Sequence, residues 1–284
     1  MYPPSSIDAA VPTPHGHASR ILYAGATDTG VLRTHNEDRF GIFADLGLFV
    51  VADGMGGAAA GEIAAAMTVE IVHEYMVQFE AARAASSSLV PFPPAPGLTA
   101  AIQAANERIH DAAQGTAAWR GMGSTIVAAF VCGSRVALAH VGDSRVFLLR
   151  DGALTQLTED HSFFNDCVRR GLADPERPAA FHYHNVITRS VGAAPTVEVD
   201  ARLVDIAPGD SLLLCSDGLS PVVPHAELAA ILGKNASPRM TVQELLARAN
   251  QLGGPDNATA IVARWDLPTT RTESTDDDRS FRAL

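Results

Sequence analysis

Cysteine is nearly missing from this chain. Only three of its 284 residues are cysteines, Cys132, Cys167 and Cys215, and none stands in a CxxC spacing. Scattered thiols in odd number exclude a disulfide framework and a thiolate zinc site, and they fit a reducing compartment. Two of them sit in apolar runs and read as small core residues. No CxxxxxR motif occurs. No apolar run approaches the roughly 20 residues of a membrane-spanning helix. The N-terminus "MYPPSSIDAAVPTPHGHASR" has no signal-peptide core. The expectation is a cytoplasmic protein with no membrane partner. Positive charge is short as well: 21 Lys and Arg face 32 Asp and Glu, a formal net charge of -11. That balance argues against a nucleic-acid partner. Internal repeats are absent.

What is present is a globular composition, 47% hydrophobic and 19% charged, on a chain long enough to bury a sizeable core. Residues 1–19 read as a tail rich in Pro, Ser and His, residues 20–266 as one domain, and residues 267–284 as a polar, acidic tail. Within the domain, strand-like runs ("RILYAGATDTG", "RFGIFAD", "LGLFVVAD") precede two Ala-rich helical stretches. In the first, Ile63, Met67, Ile71 and Tyr75 form one stripe. The Pro-rich "SSSLVPFPPAPG" separates the two helices. A strand meander follows, "GSTIVAAFVCG", "RVALAHVGD", "RVFLLRDG" and "ALTQLT", in which Asp151-Gly152 is a hairpin turn. Residues 160–185 lose the pattern and read as an insertion on one edge. Strands near 197–206 and 210–215, helices near 224–233 and 241–252, and the strand "NATAIVARW" complete the chain. This order predicts antiparallel sheets with helices layered outside, an α+β sandwich.

Several apolar runs end on aspartate. "LFVVAD" ends at Asp53, "ALAHVGD" at Asp143 and "SLLLCSD" at Asp217, while "GGPDN" puts Asp256 just before the last strand. A carboxylate at the edge of a buried sheet pays desolvation unless it is paired or bound to a cation. Two readings are open. Each Asp makes a local turn or cap, or the strand ends meet as an oxygen-only cluster, which selects hard ions such as Mg²⁺ or Mn²⁺. A further acidic element, "TDTGVLRTHNEDRF", carries Glu37 and Asp38 with Arg33 four residues before Glu37. Its plain reading is a surface ion pair of small worth; its sharper reading is an anion-gripping arginine beside a metal ligand.

Together the motifs "DTGVLRTHNED", "VVADGMGG..AGEIAA", "GSTIVAAFV", "AHVGDSRVFLLRDGALTQLTEDHS", "LLLCSDGLS" and "GGPDNATAIV" resemble the bacterial branch of the protein phosphatase 2C-like, metal-dependent Ser/Thr phosphatases, over roughly residues 21–265. Any one motif is weak; their ordered set is specific. The resemblance implies a four-layer αββα sandwich of two antiparallel sheets flanked by helix pairs, with a flap at about 160–185. It implies hydrolysis of phosphoserine and phosphothreonine in proteins by a hydroxide bridging two Mn²⁺ or Mg²⁺ ions. Under it Asp53 bridges both ions, Gly54 offers its carbonyl, Glu37 reaches the second ion, and Asp217 and Asp256 hold the first. Asp38 orients water, Asp143 joins Asp217 at a third, weaker ion, and Arg33 grips the substrate phosphate. The implied partners are phosphorylated proteins, substrates of a bacterial Ser/Thr kinase, or a single regulatory phosphoprotein. The competing reading is a catalytically silent binding module of the same fold, which usually lacks one or more metal aspartates. Met55 departs from members that carry a histidine general acid there. A metal-bound water is then expected to protonate the leaving group. His161 reads as a core or surface polar contact, with contact to the site as its alternative; the "HYH" at 182–184 as exposed flap histidines, with metal binding as the alternative; His140 as structural within a strand; and the glycosylation triplets at Asn235 and Asn257 as irrelevant in the cytoplasm.

Overall fold

The structure is a computed structural model that describes residues 9–12, 20–56, 60–85, 93–175, 177, 181, 183, 186–234 and 236–266. In chain order its elements are β1 (Ala9–Pro12), β2 (Arg20–Asp28), β3 (Asp38–Phe43), β4 (Leu48–Met55), α1 (Ala60–Ala85), α2 (Pro94–Gly115), β5 (Gly123–Ser124), β6 (Ile126–Cys132), β7 (Arg135–Val141), β8 (Arg145–Arg150), β9 (Ala153–Gln156), α3 (Phe163–Arg169), β10 (Asp200–Asp205), β11 (Ser211–Cys215), α4 (His225–Leu232), α5 (Pro238–Gln251) and β12 (Ala258–Trp265). One sheet runs β1-β2-β12-β11-β8-β9 and the other β10-β7-β6-β4-β3, with β5 paired to β4. The pairings are antiparallel.

Side-chain alternation explains why the central strands read as unbroken apolar runs. In β4, Leu48, Val50 and Ala52 face α1 and α2, whereas Phe49 and Val51 face the other sheet. In β12, Ile261, Ala263 and Trp265 fill the space between the sheets, and Ala258, Ala260 and Val262 face α4 and α5. Both faces of each sheet are therefore covered, and three apolar layers separate helix pair, sheet, sheet and helix pair. This is the αββα sandwich expected. Each fully buried Val or Leu contributes about 1.5–3 kcal/mol relative to exposure, which holds the strand ends in place against the charge they carry.

Three expectations need correction. The segment expected as a tail up to residue 19 contributes edge strand β1, paired to β2; residues 267–284, Asn235 and two of the three residues of "HYH" lie outside the described residues. In α1 the buried face is made by Ala60, Gly61, Ala64, Ala65, Thr68, Val69, Ile71, Val72 and Met76. Ile63, Met67 and Tyr75 are only partly buried against that layer, because small residues let the helix axis approach the sheet closely and push the larger ones to its flank. The helix expected at 241–252 starts at Pro238, where the Ser237 side chain accepts from the Met240 N–H, an N-cap with proline in the first turn. The hairpin reading of Asp151-Gly152 holds: both residues have positive φ, 51° and 79°, as a two-residue turn between β8 and β9 requires.

Candidate metal centre

Asp38 and Asp53 stand directly opposite each other on β3 and β4. Asp38 is fully buried. Its Oδ2 accepts from Ser216 Oγ at 2.7 Å and from Thr259 Oγ1 at 2.6 Å, while its Oδ1 has no partner. Ser216 also receives the Thr259 N–H at 2.9 Å. Two hydroxyls from β11's end and β12 thus fix which oxygen of Asp38 is left open. Ser216 is followed at once by Asp217, so the same contact sets Asp217 beside Asp38.

Asp53 is anchored from the β5–β6 junction. Thr125 N–H donates to its carbonyl at 2.8 Å, and its own N–H donates to Thr125 Oγ1 at 3.1 Å. Thr125 Oγ1 is in turn 2.7 Å from Ser144 Oγ, next to Asp143. One threonine therefore ties β4 to the loop that carries Asp143. Gly54 is fitted against α1: a Cβ there would lie 2.0 Å from the Gly61 carbonyl oxygen, so only glycine allows the helix to start this close. Gly54 N–H donates to the Glu37 carbonyl at 3.3 Å. A Cβ on Gly61 would meet Glu37 Oε2 at 2.5 Å, which places the Glu37 carboxylate over the start of α1.

Asp256 comes from the loop before β12. Its Oδ1 accepts the Asn257 N–H at 2.8 Å, and its Oδ2 receives Arg33 Nη2 at 2.6 Å. Arg33 thus pairs with Asp256 and not with Glu37, the partner its spacing suggested. The Asn257 side chain accepts from Glu37 N–H at 2.9 Å and donates to the carbonyls of Thr29 and His35, both at 2.8 Å. It fastens the whole 29–37 loop to the Asp256 loop, a role its place in a glycosylation triplet gave no hint of.

The carboxyls perturb one another. Burial pushes Asp38 and Asp143 up to about 7, with Asp217 adding to both. Asp53 is held well above the carboxylate range, first by burial and then by Asp38, Asp217 and Asp143; its carboxyl shares a hydrogen bond with that of Asp217. Asp217 is raised by burial and by Asp256. Glu37 is raised by burial, against the opposing pull of Arg33. Of the two readings open for the strand-end aspartates, convergence is what the fold realises. Buried oxygens of Asp38, Asp143 and Asp217 lack any hydrogen-bond partner. Unpartnered acidic oxygens beside one another ask for a cation, and an oxygen-only set suits Mg²⁺ or Mn²⁺.

A tighter group lies beside the cluster. His140, His161 and Asp200 are, among the described residues, the group whose ligand atoms fall within 4.8 Å of one another. Its hydrogen bonds argue against an ion. His161 Nδ1 is taken by the Gly142 N–H at 3.0 Å, and the Arg189 guanidinium stands 3.0 Å from Nε2, so neither ring nitrogen is left free for a metal. Arg189 already supplies a cation to Asp200 Oδ1 at 2.9 Å. Burial pulls His161 down to about 4, consistent with a neutral ring. Its role is to clamp Gly142, whose carbonyl also accepts the backbone N–H of His161 at 2.9 Å. Asp160 adds a two-pronged bond to Arg145, so the loop bearing Asp143 is held on both sides. His140 is structural, with Nε2 2.9 Å from the Glu159 carbonyl.

Comparison with known proteins places this geometry in context. A family model described as Protein phosphatase 2C matches residues 33–254. The serine/threonine phosphatase stp of Listeria monocytogenes is 36% identical over 244 residues, which are 85% of this chain and 94% of the relative. The serine/threonine protein phosphatase PstP of Mycobacterium tuberculosis is 35% identical over 86% of this chain and 45% of its own length. The crystal structure of Mycobacterium tuberculosis PstP/Ppp superposes with a TM-score of 0.78 at 33% identity, over 87% of this chain and 99% of that one. A structure of the PstP catalytic domain in complex with two manganese ions superposes with a TM-score of 0.75, also at 33% identity and over 87% and 99% of the two chains.

Proposed function

The chain belongs to the bacterial protein phosphatase 2C-like family, and on that footing we propose that its aspartate cluster is the catalytic centre of a metal-dependent protein Ser/Thr phosphatase. The three buried acidic oxygens without partners, on Asp38, Asp143 and Asp217, carry this reading. Asp53, Asp217 and Asp256, with Glu37 and the Gly54 carbonyl, would hold two Mn²⁺ or Mg²⁺ ions; Asp143 with Asp217 would hold a weaker third. Bound there, such ions supply Lewis acidity, making water nucleophilic near neutral pH and offsetting charge on the phosphoryl oxygens.

The chain's own groups do the rest. Arg33 offers its guanidinium fork to the phosphate of phosphoserine or phosphothreonine. Asp38 Oδ1, left open by the two hydroxyls on Oδ2, accepts a hydrogen bond from water in the site and so aims it. Water oxygen bonds to phosphorus, the ester P–O bond breaks, and the released alkoxide takes a proton to become the serine or threonine hydroxyl. Met55, at the end of β4, has no proton to give, so solvent in the site supplies it. No residue becomes phosphorylated on this route.

The substrates are phosphoproteins, and we assign them to the products of a bacterial Ser/Thr kinase. Among the described residues no helix is long and apolar enough to cross a membrane. The silent-module alternative lacks support, because each expected carboxylate is present. Hydrolysis of p-nitrophenyl phosphate and of a phosphothreonine peptide with Mn²⁺ tests the proposal. Activity that survives Asp53→Ala, or an excess of EDTA, would refute it.

A further inference from the structure

Val31 and Leu32 immediately precede Arg33, and they are 61% and 71% exposed. Leu32 is the most exposed large apolar side chain among the described residues. Single exposed apolar residues are ordinary. These two are consecutive, and they stand beside the arginine assigned to the substrate phosphate.

The backbone beneath them is fastened. The Gly254 carbonyl accepts from both Val31 N–H at 2.9 Å and Leu32 N–H at 3.1 Å. On one side Gly30 N–H is bound by Asp28 Oδ1 at 2.8 Å. On both sides the Asn257 side chain holds the loop, at the Thr29 and His35 carbonyls. A loop already held in one shape has little ordering left to lose when a partner covers it, which favours binding.

We infer that Val31 and Leu32 form a specificity-determining rim that takes an apolar side chain within two residues of the substrate's phosphorylated serine or threonine. This rests on the phosphatase reading and on Arg33 as its phosphate grip. The spacing suits an extended segment: consecutive Cα atoms lie 3.8 Å apart, and a strand-like peptide advances about 3.3 Å per residue. With the phosphate on Arg33, the flanking side chains fall alongside Leu32 and Val31. The Val31 and Leu32 side chains offer neither charge nor a hydrogen-bonding group to a polar flank, so an apolar flank is the class that gains from this surface.

The test uses phosphothreonine peptides that differ only in the flanking residue, Leu, Ser, Asp or Arg, with the full-length enzyme and Mn²⁺. The Leu peptide should exceed the Ser peptide by about tenfold in kcat/KM. The gain should appear in KM with kcat little changed, since a remote contact binds ground and transition states alike. Leu32→Ser should abolish the ranking and Leu32→Met should keep it. Met240→Ser, at an exposed apolar residue of α5, should also keep it. Equal rates for the Leu and Ser peptides, a preference for the Arg peptide, or a ranking that survives Leu32→Ser would overturn the rim while leaving the phosphatase standing. Absence of all hydrolysis, p-nitrophenyl phosphate included, would overturn both.

Discussion

Arg33 Nη2 lies 2.6 Å from Asp256 Oδ2, joining the loop before β3 to the loop before β12. The two side chains are 53% and 32% exposed. An ion pair this open is worth about 0–1 kcal/mol, so it yields readily when a phosphate oxygen competes for the guanidinium. Arg33→Ala should therefore leave the fold intact, shifting the thermal midpoint little. It should lower kcat/KM for a phosphothreonine peptide by roughly 10- to 100-fold, the worth of a charged hydrogen bond. Steady-state kinetics beside a thermal melt checks both halves.

Removing cations should expose the strain of the carboxyl cluster. Without them the folded protein holds Asp38 and Asp143 at about 7, and Asp53 and Asp217 are raised as well. In the unfolded chain these groups titrate near the ordinary carboxylate value of about 3.9. Between the two values the folded state binds more protons, so stability falls as pH rises from about 4 through about 7. The urea midpoint in EDTA should be lower at about pH 8 than at about pH 5. Excess Mn²⁺ should reverse the loss at the higher pH, adding about 2.7 kcal/mol at a hundred times its dissociation constant.

Asp53→Asn should separate activity from stability. It puts a neutral amide where burial and the neighbouring Asp38, Asp217 and Asp143 oppose ionisation of a carboxyl, so in EDTA the variant should gain melting temperature over the parent as pH rises. Its phosphatase activity should fall at least about 100-fold, the loss seen when one preorganised electrostatic group is removed. A melt performed in EDTA and again in Mn²⁺, with rates from the same preparation, tests the opposite signs.

Asn257 uses both amide protons and its carbonyl on the 29–37 loop. Asn257→Ala should cost about 2–3 kcal/mol of stability, as three modest hydrogen bonds are lost, and it should weaken Mn²⁺ binding measured by calorimetry. Asn257→Asp keeps the acceptor for Glu37 but turns an acceptor on the Thr29 and His35 carbonyls, and should fare no better than Ala.

His161 Nδ1 is the acceptor for the buried Gly142 N–H. His161→Leu leaves that donor unmatched, at about 1–3 kcal/mol. Asparagine places a carbonyl oxygen where Nδ1 stood, so His161→Asn should recover much of the loss. Urea denaturation and hydrogen exchange at the Gly142 amide report on the same bond.

Local chemistry was legible in the chain. Apolar runs covered on both faces marked the central strands, Asp151-Gly152 marked a hairpin, and aspartates at the ends of β4 and β11 marked themselves by interrupting buried sequence. The packing side of α1 was not legible, because the alanines that allow close approach carry no periodic signal of their own beside Ile63 and Met67. The supporting residues were equally silent. Ser216 and Thr259 reach Asp38 across 178 and 221 residues of chain, and a hydroxyl in a strand looks the same whether it faces water or a carboxylate.

The sequence by itself determined the types of the elements, the oxygen-only chemistry of the acidic motifs and, through their ordered set, the family resemblance. Tertiary structure alone decided that Arg33 meets Asp256, that Asn257 laces two loops together, and that His161 serves Gly142 instead of a metal. The physical reason is one of range. Backbone propensity and burial act between near neighbours and leave a pattern in the string, whereas a hydrogen bond between segments some 220 residues apart depends on how two sheets stack, and that is written in no single stretch.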